Sequence, residues 1–161
     1  MASESTGIAS DQIQLSSIEE AHWPEDHFYF ITFGAVLEHL HDPALCNERA
    51  LSWLKPGGVI HAEVPSSDFL PCRLLNSFYR LIGTSYLANC SPMHTPYHLY
   101  EFRPQGCESL GSRLGFRLDE YSYRQASARF VPHFLYPLFF RWMMATHTGM
   151  QLNVWLRKPK G

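Results

Sequence analysis

The sequence predicts an α/β fold built on a parallel sheet, and three observations support that prediction. Two apolar runs, Phe28–Phe33 and Val59–Val64, have the length and composition of buried strands. The segment between them repeats apolar residues at helical spacing and is bounded by residues that start and stop helices. A strand, a helix and a second strand in this order form a βαβ unit, whose strands are parallel and joined by a right-handed crossover.

Composition limits the classes of protein to which this chain can belong. Its 161 residues suit one domain, and 45% hydrophobic with 17% charged residues is ordinary for a globular protein. The formal net charge of -2 offers no positive surplus to neutralise phosphates, so we expect no nucleic-acid partner. The four cysteines contain no CxxC pair, which argues against a zinc ribbon and favours reduced thiols in a cytoplasmic protein.

The two ends of the chain differ in character. Residues 1–12 are polar and small, and we expect a disordered leader rather than a secretory signal. The most apolar run, residues 130–145, is too short to span a bilayer and is interrupted by Pro132, Pro137 and Arg141. We therefore expect this run to contact a membrane surface or a second copy of the chain, if it is not packed in the core.

The first half of the domain is predicted to alternate strands and one helix. Ile13–Ser16 is a candidate short strand, and Phe28–Phe33 is expected to be buried on both faces. Asp42 can cap a helix that Pro43 begins, because its carboxylate accepts from free backbone N–H groups and proline suits the first helical position. Residues 55–58 (Lys-Pro-Gly-Gly) end this helix and lead into the next strand.

The second half is predicted to contain two further helices and two strands. Helices are expected over residues 69–82 and 104–115, and strands over 116–123 and 152–158. The segments 83–103 and 126–150 carry prolines and aromatic residues without a clear period, and we interpret them as cap or insertion segments. The whole of residues 13–161 is interpreted as one domain.

Several motifs occur in an order that resembles one enzyme family. A turn with the sequence Leu37-Glu38-His39 follows the first buried strand, and Leu54-Lys55-Pro56-Gly57-Gly58 follows the helix. His98 with Phe102, and then Leu114-Gly115-Phe116, precede a later strand. Together these motifs resemble the C-terminal portion of class I S-adenosylmethionine-dependent methyltransferases. The resemblance implies a partial Rossmann-like sheet of parallel strands with an antiparallel last strand, and helices on both faces.

The same resemblance implies a place for the cofactor, S-adenosyl-L-methionine. Phe33, Gly34 and Ala35, at the carboxyl end of the first buried strand, would line its methionine side. Ligands of open parallel sheets bind beyond the carboxyl ends of the strands, and Gly34 has no Cβ to keep a ligand away from the backbone. The alternative is that Gly34 only eases a tight turn from strand to helix.

One expected part of the family pattern is missing. The acidic residue and Gly-x-Gly-x-Gly loop of the first βαβ unit have no counterpart, since Gly7 stands alone near the N-terminus. Ser16 and Ser17, before Ile18, stand where the family often has an acid near the adenine. We therefore expect an incomplete domain that does not bind the cofactor tightly by itself.

The resemblance implies methyl transfer to a small or lipid-like acceptor, carried out together with the missing N-terminal half. The alternative is a non-catalytic methyltransferase-like fragment that acts through protein contacts. A hydrolase is not supported, because the sequence contains neither Gly-x-Ser-x-Gly nor His-Glu-x-x-His.

Candidate catalytic chemistry centres on His39. It lies just past the carboxyl end of a predicted strand, where a general base or substrate contact is expected. The alternative interpretation is a histidine that caps a helix or packs against its neighbours.

A second group of residues is a candidate substrate cap: His94, Tyr97, His98 and Tyr100. His94 and His98 have the i, i+4 spacing of two metal ligands on one helical face. Pro96 lies between them and makes a regular helix doubtful, so the sequence predicts no metal site unless Glu38, His39 or His41 converges on them.

Overall fold

A computed structural model of the protein describes residues 13–90, 95–124 and 131–161. The predicted leader, residues 1–12, lies outside the described residues. The strands are β1 (Phe28–Gly34), β2 (Leu54–Pro65), β3 (Arg117–Arg124) and β4 (Gln151–Arg157). The α-helices are α1 (Pro43–Trp53), α2 (Leu70–Leu81), α3 (Pro104–Leu114) and α4 (Tyr136–Ala145), with short 3-10 turns at Leu37–His39 and His133–Leu135.

The four strands form one mixed sheet in the order β1-β2-β4-β3. β1 and β2 pair in parallel, as the βαβ pattern predicts, with Ile31 opposite Ile60. β4 lies between β2 and β3 and is antiparallel to both. The predicted α/β class, with parallel strands and an antiparallel last strand, is confirmed.

The first crossover helix, α1, forms where the sequence predicts it. The Leu45 N–H donates to Asp42 Oδ1 at 2.9 Å, so Asp42 is the N-terminal cap, and Pro43 begins the helix. Ala50 and Leu51 are buried in the main core together with Ile60 and Ala62 of β2. Burial of these apolar side chains joins the helix to one face of the sheet.

The start of β2 requires two glycines, Gly57 for its backbone conformation and Gly58 for the close approach of other backbone atoms. Gly57 has φ of +80°, a left-handed conformation that glycine adopts without a Cβ penalty. A Cβ on Gly58 would lie 2.9 Å from the Lys55 carbonyl oxygen and 3.2 Å from that of Tyr29. The predicted turn is therefore part of β2 itself, because the strand begins directly at Leu54.

Two expectations for the N-terminal part of the domain are wrong. Residues 13–16 form no strand, since Ile13 and Leu15 are exposed and have no strand partner among the described residues. β1 is not buried on both faces: Tyr29 is 73% and Phe30 54% exposed. The reason is that β1 is the edge strand of the described sheet.

The face of the sheet opposite α1 carries a row of polar side chains. Asn153 Oδ1 lies 3.3 Å from His61 Nε2, and Thr32 Oγ1 lies 3.1 Å from His61 Nδ1. The imidazole of His61 therefore bridges the threonine hydroxyl of β1 and the asparagine side chain of β4. The row joins β1, β2 and β4 on a side of the sheet that is partly exposed.

A second, smaller core lies between α2 and α4. Cys72 and Tyr79 of α2 cluster there with Phe139 and Met143 of α4, and Met143 is fully buried. α4 falls within the segment 126–150 that the sequence marks as a cap or insertion. None of the helices within the described ranges combines the length and apolar character needed to cross a bilayer.

Candidate functional site

The candidate site lies at the carboxyl ends of the two parallel strands, where ligands of such sheets bind. Gly34 at the end of β1 is opposite Glu63 of β2, and the Ala35 N–H donates to the Glu63 carbonyl at 3.1 Å. The chain then turns through Leu37–His39 before α1 begins. This turn places two titratable side chains, Glu38 and His39, close to the open backbone at Gly34.

The three residues predicted to line the cofactor differ in their environments. A Cβ built on Gly34 would meet no heavy atom within 4 Å, so the space beside it is open. The left-handed residue of the turn is Ala35, with φ of +51°, and not Gly34. Phe33 is buried in the main core, so only its backbone is available to a ligand. The feature of Gly34 that the structure shows is therefore the open space beside it, and not a backbone conformation that only glycine can adopt.

The segment of residues 95–102 crosses the ends of both strands. The Leu99 N–H donates to the Glu38 carbonyl at 2.8 Å, and the Phe102 N–H donates to the Pro65 carbonyl at 2.9 Å. The Tyr100 hydroxyl donates to the carbonyl oxygen of His41 at 2.8 Å. This segment, which we call the strap, belongs to the predicted cap and lies against the β1 turn.

One histidine of the turn is oriented by the strap. His39 Nδ1 lies 2.7 Å from the carbonyl oxygen of Tyr97. Since a carbonyl only accepts, Nδ1 carries a proton, and in the neutral ring the lone pair is on Nε2. The ring of His98 meets that of His39 edge to face, with centroids 4.8 Å apart. His39 therefore lies beside a second imidazole with its Nδ1 fixed by the strap.

Glu38 lies in the same group as His39 and His98, although the sequence predicts no chemical role for it alone. Its side chain is only 4% exposed, and Oε1 lies 3.9 Å from His39 Nε2. The other carboxylate oxygen, Oε2, is buried without a hydrogen-bond partner among the described residues. One ligand atom each from Glu38, His39 and His98 all lie within 4.8 Å of one another. The structure thus brings Glu38 and His39 to His98, which is part of the convergence that the sequence states as a condition; His94, its other member, lies outside the described residues.

The remaining residues of the predicted substrate cap are His94, Tyr97 and Tyr100. His94 lies outside the described residues, so its predicted role in the cap stays a prediction. The side chains of Tyr97 and Tyr100 are 49% and 39% exposed. Both tyrosines thus add aromatic surface beside the cluster of Glu38, His39 and His98.

A surface cavity of about 410 Å³ adjoins the same end of β1. Ser16, Ser17 and Ile18 line it on one side, and Val36 and Leu40 of the β1 turn line it on the other. The serines stand where the family resemblance expects the adenine to bind. The serines at the expected adenine position and the residues that follow β1 therefore line the same cavity.

The cysteines offer no activated nucleophile. Burial raises the pKa of the Cys90 thiol, and the nearby charge of Glu101 raises it further. Burial raises the pKa of Cys46 to about 12. A thiol must lose its proton to act as a nucleophile, so these groups are inert at neutral pH.

Comparison with known proteins identifies the relatives of this fold. A family model described as a methyltransferase domain matches residues 3–121. A search of curated proteins found no match.

Solved structures similar to this chain include two S-adenosylmethionine-dependent methyltransferases. The one from Methanosarcina mazei is 13% identical with a TM-score of 0.61, and the match covers 92% of this chain and 67% of that protein. The one from Mesorhizobium loti is 13% identical with a TM-score of 0.56, covering 89% and 67%. The cyclase SpnF is 15% identical with a TM-score of 0.59, covering 99% and 60%. The chain spans about two thirds or less of the length of these three proteins.

Proposed function

The chain belongs to the methyltransferase domain family, and from that premise we propose that it forms the acceptor side of an S-adenosylmethionine-dependent methyltransferase. The observation that carries the proposal is the open backbone at Gly34 beside the cluster of Glu38, His39 and His98. Methyl transfer requires mainly that a nucleophile is aligned with the activated methyl group that the cofactor supplies. Residues at the carboxyl end of β1 are suitably placed to do this.

The cofactor's methionine side would lie along the backbone of Gly34 and Ala35. Its adenine side would enter the cavity between Ser16 and Val36. No glycine-rich loop is present in the sequence to surround the rest of the molecule. We therefore expect weak binding, with dissociation constants between about 0.1 and 1 mM, or 4 to 5.5 kcal/mol, unless further residues complete the site.

His39 is the group we propose to contact the acceptor. In the neutral ring Nε2 can accept a proton from a nucleophile, because Tyr97 holds the Nδ1–H. The side chain is 35% exposed, so an acceptor can reach it.

A lipid-like acceptor at an anionic membrane surface is favoured by the two helices α2 and α4. Both helices contribute to the second core, against which Tyr79 of α2 and Phe139 of α4 pack. Neither helix contains an acidic residue, and they carry Arg73, Arg80 and Arg141. Both also expose large apolar side chains: Leu74, Phe78 and Leu81 on α2, and Leu138 and Trp142 on α4. Apolar surface combined with basic residues is the pattern that binds anionic lipid surfaces.

The decisive experiment titrates the purified chain with S-adenosylmethionine and S-adenosylhomocysteine by calorimetry. We expect weak saturable binding that Gly34→Val abolishes without lowering the melting temperature, because the new side chain would occupy open space. The control is Gly106→Ala in α3, where an added Cβ also meets no atom within 4 Å. Absence of binding by the wild-type chain at millimolar ligand would contradict the proposal.

That negative result would favour the alternative, a methyltransferase-like domain that acts through protein contacts. The edge strand β1 supports this alternative, since Tyr29 and Phe30 are largely exposed there. Unpaired edges with apolar side chains associate readily. Light scattering over a range of concentrations would distinguish the two, because the alternative predicts association and the enzyme proposal does not require it.

A further inference from the structure

The cluster of Glu38, His39 and His98 has the composition of a divalent-cation site. Two imidazoles and one carboxylate supply the ligand set that zinc uses when it keeps a position open. Their ligand atoms lie within 4.8 Å of one another. Bonds of about 2.0–2.2 Å to a common ion would require these atoms to move somewhat closer together. Small side-chain rotations at the partly exposed His39 and His98 would provide that movement.

Two further observations point to a cation rather than to a chance grouping. Glu38 Oε2 is buried and has no hydrogen-bond partner in residues 13–90, 95–124 and 131–161, although an unpaired carboxylate oxygen is costly to remove from water. His39 donates its Nδ1 proton to the Tyr97 carbonyl, which leaves Nε2, 3.9 Å from Glu38 Oε1, as the ligand atom of the neutral ring. Metal-binding histidines are commonly fixed in this way by a second hydrogen bond to a backbone carbonyl.

We infer that Glu38, His39 and His98 bind one divalent transition-metal ion of the zinc class. Each of the three ligands lies on a segment held in place by backbone hydrogen bonds. The Leu99 N–H donates to the Glu38 carbonyl at 2.8 Å, so the strap and the β1 turn are joined beside the ligands. With three protein ligands, the ion keeps a position for water or for an oxygen atom of the acceptor. The inference rests on the proposed function and deepens it: when the ion is bound, His39 Nε2 holds the ion instead of accepting a proton, and the ion contacts the acceptor. The ion can bind without the methyl donor.

Cobalt and zinc titrations of the purified chain, without S-adenosylmethionine, test this inference. Cobalt(II) at such a site gives the strong visible absorption of tetrahedral coordination, and zinc should displace it. We expect one equivalent bound with micromolar or tighter affinity, and a melting temperature raised by zinc. Loss of a ligand should weaken binding at least as much as loss of a supporting group, that is about 10- to 100-fold or more.

The variants are His39→Gln, His98→Gln and Glu38→Gln, each measured for cobalt affinity and for melting temperature. His41→Gln is the matched control, because this exposed histidine of the same turn is outside the cluster. The inference is supported if the first three lose the cobalt spectrum and the control keeps it. It is overturned if wild-type protein shows no spectrum at about 1 mM cobalt, or if His39→Gln and His98→Gln, both folded, bind as tightly as wild type.

The two proposals fail separately. Binding of S-adenosylmethionine is measured in the presence of a chelator, and metal binding is measured without S-adenosylmethionine. A chain that binds metal but not S-adenosylmethionine contradicts the proposed function alone. A chain that binds S-adenosylmethionine but gives no cobalt spectrum contradicts the metal site alone, and Glu38 with His39 is then an internal contact of the turn.

Discussion

His39 Nδ1 donates to the carbonyl oxygen of Tyr97 at 2.7 Å, across 58 residues of sequence. The bond joins the turn after β1 to the strap and leaves one imidazole nitrogen free beside Glu38 and His98. The orientation of the His39 ring in the Leu37–His39 turn therefore depends on a segment that is distant in sequence. The same pair of segments is joined by the Tyr100 hydroxyl, which donates to the His41 carbonyl.

The bond from the Tyr100 hydroxyl to His41 should contribute to stability. Tyr100→Phe removes the donor and leaves the ring, and we expect the free energy of unfolding to fall by about 0.5–1.5 kcal/mol. Tyr97→Phe is the matched control, because the hydroxyl of this exposed tyrosine makes no hydrogen bond in the described structure. Urea unfolding of both variants measures the difference. Equal stabilities of the two variants would show that the strap is not held by this bond.

The left-handed conformation of Ala35 should make glycine more stable at that position. A residue with a Cβ at φ of +51° is strained by roughly 1–2 kcal/mol, and glycine is not. After the larger entropy loss of glycine on folding, Ala35→Gly should raise the free energy of unfolding by up to about 1 kcal/mol. Ala44→Gly in α1 should instead lower it by about 0.5–1 kcal/mol. Denaturant unfolding that shows both variants destabilised would contradict the strain.

The sequence could predict the parts of this fold that depend on local rules. The cap at Asp42 acts on its immediate neighbours and is found as expected. The glycines at 57 and 58 do not end the helix as expected: the helix ends at Trp53, and both glycines lie in β2, where Gly58 packs against the distant Tyr29 carbonyl. The sequence could not predict that Phe30 is exposed, because burial of a strand depends on what pairs with it. Nor could it predict the cluster, since Glu38 and His98 meet through backbone bonds between distant segments.

The carboxylate of Asp119 should make stability depend on pH in the acid range. Arg157 and Arg117 donate to it, and these bonds hold its pKa below the usual value. A lowered pKa in the folded state stabilises the protein above the unfolded pKa near 4, and that contribution is lost as the pH falls through the folded pKa. Asp119→Asn should thus cost at most about 1 kcal/mol at pH 7, since the pair lies at the surface.

The difference in unfolding free energy between Asp119→Asn and wild type should begin to shrink near pH 4 and narrow further below it. High salt should reduce it at pH 7, because surface ion pairs are screened. Urea unfolding at several pH values measures this. A gap that is as large at pH 3 as at pH 7 would mean that the ionised form of Asp119 is not what the two arginines stabilise.

The exposed leucines of α2 and α4 should determine binding to anionic vesicles. Leu81 and Leu138 are 86% and 70% exposed, so replacing both with serine should not lower the melting temperature. Burying a leucine in a membrane is worth about 1.5–3 kcal/mol, and the double variant should bind phosphatidylserine vesicles at least about tenfold more weakly. The control is Leu15→Ser, a leucine that is fully exposed but lies outside these helices.

Arg141→Glu should reduce binding to phosphatidylserine vesicles more than binding to phosphatidylcholine vesicles, because it reverses a charge beside the apolar surface of α4. Sedimentation with vesicles of each composition measures both effects. If wild-type protein does not sediment with either, the proposed membrane contact is contradicted. If it forms a concentration-dependent dimer that the leucine substitutions abolish, the surface binds a second copy of the chain. The acceptor would then have to be a small molecule that reaches His39 from solution, past the exposed ring of Tyr97.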